Sequence, residues 1–209
     1  MVQDSANKSH LNDNKSRFFK WWPLLLGPAT MVWVYTAKAI GKVDFVSRQA
    51  NENAALFLVG ISVIGFCAAA IKYRQEFLFF MLALCFAFFC REWHFAGTSN
   101  GIYVALAILA AWAVKRKDKI SVFVDGCPVQ VWAWTAFSCY LLSQLIARRV
   151  FRYVYLPSEK DMHIFLEESV ETMGHIAMIV TCIVSWIRAV RLASSQETLS
   201  DFSQKKLSA

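Results

Sequence analysis

A membrane-length helix whose first half is crowded with ionisable groups constrains this chain more than any other feature. From Met162 it reads His163-Ile164-Phe165-Leu166-Glu167-Glu168-Ser169-Val170-Glu171-Thr172-Met173-Gly174-His175, and only then turns apolar over Ile176–Ile187. That run is 12 residues, roughly 18 Å of α-helix, whereas a bilayer core takes about 20 residues. With Arg188 at one interface, the span must reach back to Glu168. Glu171 and His175 then fall inside the hydrocarbon thickness. Ionisable side chains are costly there and face protein or a wet cavity rather than lipid.

The rest of the chain fits a lipid setting. Hydrophobic residues make up 57% of it, above the roughly 45–50% of a soluble domain. They come in blocks rather than in the periodic patterns of half-buried elements. Six blocks stand out: Trp21–Ala37, Ala54–Ile71, Phe77–Cys90, Ile102–Val114, Val129–Ala147 and the end of 162–190. The expected fold is all-α, a polytopic membrane helix bundle of six transmembrane helices over residues 17–191. A disordered N-terminal tail (1–16) and a polar C-terminal tail (192–209) flank it.

Charge sets the orientation. Of the 22 Lys and Arg residues, 14 fall in segments on the side of the termini and 8 on the other side. By the positive-inside rule both termini are cytoplasmic, in a multi-pass protein of the cell membrane, of the bacterial inner-membrane kind. The net charge of +7 is topological rather than the footprint of a nucleic acid, and no nucleic-acid partner is expected. The expected partners are the lipid bilayer and another membrane protein. Lys115–Lys119 reads as a solvated cytoplasmic loop able to touch anionic lipid. Lys15, Arg17 and Lys20 followed by Ala37-Lys38-Ala39 resemble a signal peptide. That stretch is long and holds Pro23 and Pro28, so the first span is expected to be retained. The six cysteines form no C-x-x-C pair, and those in apolar spans read as small packing residues.

Two blocks are short, Phe77–Cys90 and Ile102–Val114, and both lengthen toward Arg91-Glu92-Trp93-His94. The third helix is expected to run to about Ala96, with a turn at Gly97–Gly101. In a six-span topology Arg91, Glu92 and His94 then share the outer leaflet with His163, Glu167, Glu168, Glu171 and His175. At about 100° per residue, the five residues of the last helix lie within one arc of about 140°. Glu171 and His175 are i,i+4 neighbours. These eight residues form the expected polar cluster.

Three readings of that cluster are open. It is a structural network, for example Arg91 neutralising Glu168 or Glu171. It is a site for a divalent metal on His94, Glu171 and His175. Or it is a proton or ion relay, or a pocket for a polar ligand. No Gly-rich phosphate loop, G-x-S-x-G or H-E-x-x-H motif is present, and no nucleophile–base triad can be assembled. Catalysis is therefore left undecided. The leading expectation is a non-enzymatic accessory or sensor protein whose outer-leaflet site binds a cation, proton or small polar ligand. One alternative is a membrane-embedded metal-dependent hydrolase of lipids or headgroups, with Glu171 as general base. The other is a small ion-coupled transporter, although paired repeats and broken helices are not visible.

Reporter fusions placed after Lys20 and after Arg191 should both signal the cytoplasmic side. An external signal from the second fusion breaks the six-span topology and the shared leaflet with it.

Overall fold

The computed structural model describes residues 20–41, 48–93, 98–125, 128–150 and 159–207. Among the described residues there is no strand. The described residues form a 3-10 turn, Trp22–Leu25, followed by seven helices: α1 (Leu26–Ala39), α2 (Arg48–Tyr73), α3 (Glu76–Glu92), α4 (Thr98–Lys115), α5 (Lys117–Val124), α6 (Pro128–Ala147) and α7 (Glu159–Leu207). Each apolar block falls largely within a helix, so the all-α expectation holds. Pro23 occupies the opening of the 3-10 turn, and Pro28 lies in the first turn of α1. Both are places where a missing N–H leaves no helical bond unmade.

Two helical segments are long and apolar enough to cross a membrane, Glu52–Tyr73 with 22 residues and Met162–Gln196 with 35. The shorter measures about 33 Å, close to the roughly 30 Å of a bilayer core. Gly101–Lys115 is apolar but shorter. Only 33% of the most apolar stretch of each long segment is buried. On α2, Phe57, Ile61, Ile64 and Ile71 form one exposed stripe, while Val59, Phe66, Ala69 and Ala70 are buried on the opposite face. A helix that is apolar on every side needs lipid or a much larger core around it. Its hydroxyls are satisfied locally. Ser62 Oγ donates to Leu58 O at 3.0 Å, and on other helices Thr30 Oγ1 donates to Leu26 O at 2.7 Å and Thr135 Oγ1 to Val131 O at 2.9 Å. Such back-bonding lets a helix carry Ser or Thr without water.

The chain divides into two compact units, Met1–Asn51 with Gln130–Ala177, and Glu52–Val129 with Met178–Ala209. In the first, a core of Val34, Ala37, Cys139, Ile146, Met162, Leu166 and Val170 joins α1, α6 and the start of α7. A Cβ on Gly27 would sit 3.2 Å from Leu142 Cδ2 and 3.5 Å from Cys139 Sγ, so α1 lies close on α6. In the second unit, α3 packs on α4 and α5. Tyr73 at the end of α2 meets Trp186 of α7 edge-on at 5.8 Å. Arg74, in the left-handed region at φ 51°, closes α2 with its N–H on Ala70 O and turns the chain into α3.

Two features differ from the sequence expectation, and a third adds to it. Lys117–Val124 is a helix rather than a charged loop, because Phe123 is buried and stacks on Phe77 at 5.3 Å. Its flanking charges then reach Glu76, Arg116 at 3.7 Å and Lys119 at 3.9 Å. The helix α3 stops at Glu92 instead of Ala96, with Trp93 as its cap. The polar segment from 192 remains helical through Leu207. No Gly or Pro interrupts it after Gly174, and Ser194 and Ser195 bond back to Val190 O and Arg191 O.

In the second unit α2 and α7 come close together at Gly65, where a Cβ would lie 2.6 Å from Cys182 Sγ. Gly65→Ala should destabilise the detergent-solubilised protein by about 1–3 kcal/mol in thermal unfolding, and adding Cys182→Ala should restore much of the loss. A Gly65→Ala protein that melts like the wild type contradicts this packing.

Candidate functional site

The site is built on the middle of α7 and on α6. At the start of α7 the polar and apolar faces run side by side. Met162, Leu166 and Val170 are buried in the core, while His163, Glu167 and Glu168 are only half-buried. One and two turns further on the polar face itself is enclosed. Glu171 is 7% exposed and His175 is fully buried. The expected stripe is thus enclosed at Glu171 and His175 and half-exposed at His163, Glu167 and Glu168. Near the helix start a charged face can still meet water, so only the deep end requires protein partners.

The partner of His175 is Tyr140 of α6, whose Oη lies 2.6 Å from His175 Nδ1. Tyr140 is itself buried, and the two rings meet edge-on with centroids 5.4 Å apart. Gly174 makes this possible. A Cβ there would stand 3.3 Å from Tyr140 Cε1 and 3.4 Å from Cys139 Cβ, so a larger residue would push α6 away. His175 Nε2 is shielded from solvent as well. Glu171, one turn earlier, presents a carboxylate oxygen within 4.8 Å of a ring nitrogen of His175.

A buried phenol, an imidazole and a carboxylate in this order can do two things. They can hold a cation between the carboxylate and Nε2, with Tyr140 fixing the ring through Nδ1 as an outer partner does at metal sites. They can also pass a proton along the chain. Donors on one tetrahedral divalent ion lie about 3.4 Å apart, a separation that falls within the 4.8 Å bound on the Glu171 and His175 donors. The donor types suit zinc, iron or manganese.

Of the other expected members, Arg91 and Glu92 occupy the last turn of α3 and are half-buried. His94, expected as a metal ligand with Glu171 and His175, lies outside the described residues. Tyr140 was not singled out by sequence reading. The available signal was a phenol in mid-span, since a buried Tyr hydroxyl needs a partner. No family, curated protein or solved structure matches the chain, so the functional reading rests on its own residues.

Removing the Tyr140 hydroxyl tests the hydrogen bond. Tyr140→Phe and His175→Leu should each cost about 0.5–2 kcal/mol in thermal unfolding. The double variant should cost clearly less than the sum, because the two changes remove one shared interaction. Strict additivity would mean that the two side chains do not interact.

Proposed function

We propose that the protein is integral to a membrane, with its helices crossing it six times and both termini cytoplasmic, and that its buried acid–imidazole site binds a divalent cation. In this reading the ligands are Glu171 and His175, one turn apart on α7. A carboxylate oxygen and an imidazole nitrogen within 4.8 Å of each other are donors that one metal ion can share. The observation that carries the reading is the full burial of His175 beside Glu171, with Tyr140 Oη 2.6 Å from Nδ1. A side chain held in this way is oriented before any ion arrives, and the neutral imidazole is the form that ligates a metal.

The enclosure of His175 favours binding over hydrolysis, because a catalytic metal keeps an open position for water and substrate. A binding role suits an accessory or sensor subunit, in which the ion draws neighbouring helices together and changes the surface offered to a membrane partner. A second reading, proton transfer in an ion-coupled transporter, is favoured by the short Tyr140–His175 hydrogen bond.

Elemental analysis of the protein purified in mild detergent separates these readings. The cation reading expects a stoichiometric divalent metal, lost in Glu171→Gln and in His175→Leu. It also expects chelation to lower the melting temperature of the wild type but not of Glu171→Gln. A metal-free protein, indifferent to added zinc, iron and manganese, would falsify it.

A further inference from the structure

The second unit carries a basic, aromatic cluster at the end of its membrane-length segment Glu52–Tyr73. Tyr73 and Trp186 meet edge-on. Lys72 Nζ stands 5.2 Å from the Tyr73 ring centroid and 5.9 Å from that of Trp186. That contact fixes the end of α2 level with residues 185–188 of α7. Ser185 and Arg188 are i,i+3 neighbours and share one face of α7. Ser185 is fully buried, and neither its Oγ nor Arg188 Nε has a hydrogen-bond partner among the described residues. Buried donors left this way are unfavourable unless something outside the chain accepts from them.

The surrounding charge is of one sign. Arg74 follows Lys72 in the α2–α3 turn and Arg191 follows Arg188 on α7, both exposed. Of the acids nearby, Glu76 is engaged by Arg116 and Lys119. Beside the cluster, Ile71 and Ile187 are exposed, so an apolar surface continues away from the basic end. Tyr and Trp at this level are the residues that settle where hydrocarbon meets headgroups. A guanidinium presents its donors in a fork that fits phosphate oxygens.

We infer that Arg188, Ser185 and Lys72 bind the phosphate of an anionic phospholipid headgroup, with the acyl chains along Ile71 and Ile187. The inference rests on the membrane reading above and adds a lipid class and a site to it. Arg188 and Ser185 supply hydrogen bonds to the phosphate, and Lys72, held over the two rings, supplies charge attraction.

The test uses the full chain purified in detergent and delipidated, melted with added phosphatidylglycerol or phosphatidylcholine. Phosphatidylglycerol should raise the melting temperature and phosphatidylcholine should not. Arg188→Gln should raise the half-saturating phosphatidylglycerol concentration about tenfold or more. Arg188→Lys, which keeps the charge but loses the fork, and Ser185→Ala, which keeps the packing, should raise it less. Lys38→Gln, at the end of α1, should leave it unchanged. Equal stabilisation by both lipids overturns the proposal, as does a phosphatidylglycerol effect intact in both Arg188→Gln and Ser185→Ala. Full stabilisation by inorganic phosphate alone overturns the lipid as its source. Alkaline carbonate extraction of native membranes separately tests the membrane reading. Release of the protein there defeats that reading whatever the melting curves show.

Discussion

The close approach of α6 to α7 at Gly174 is the contact on which the site depends. It brings Tyr140 Oη to 2.6 Å from His175 Nδ1. Without that approach, α7 would carry an imidazole and a carboxylate into a buried position with no phenol to orient the ring. Desolvating such groups unpartnered costs more than one packed glycine can return. The polar middle of α7 and the missing side chain at position 174 are therefore two parts of one solution.

The same device recurs. Gly27 lies against Cys139 and Leu142, Gly174 against Cys139 and Tyr140, and Gly65 against Cys182. Each pairing sets a glycine on one helix against a small sulfur side chain on another. Helices in lipid gain little from hydrophobic contact with one another and associate through such close packing. The exposed isoleucines and phenylalanine of α2 and the hydroxyls folded back onto their own helices fit the same environment. None of this requires water at the helix surface, which is why the membrane reading and the packing support each other.

Much of the helical layout was legible in the sequence, because each apolar block is long enough to form one helix and is bounded by polar residues. The i,i+4 relation of Glu171 and His175 was also legible, since the helical period fixes which residues share a face. What was not legible depended on tertiary contacts. Lys117, Asp118 and Lys119 resemble a solvated loop until Phe123 is seen stacked on Phe77. The end of α3 at Glu92, with Trp93 as its cap, falls within a run of polar and aromatic residues that carries no stop signal of its own. Tyr140 is one aromatic among many in an apolar block, and its role appears only once α6 lies against Gly174. The three outer members of the stripe, His163, Glu167 and Glu168, share the helical face of Glu171 but not its burial.

The central claim is that His175 is an oriented, ion-responsive ligand inside the fold. Nitrogen-15 spectra of histidine-labelled protein in lipid bilayers, with and without zinc, test it most directly. The expected result is a hydrogen-bonded Nδ1 at His175 whose signal changes in Tyr140→Phe, and a zinc-induced shift at Nε2 that disappears in Glu171→Gln. A His175 spectrum unmoved by zinc and by Tyr140→Phe, while His10 or His163 responds to the ion, contradicts it.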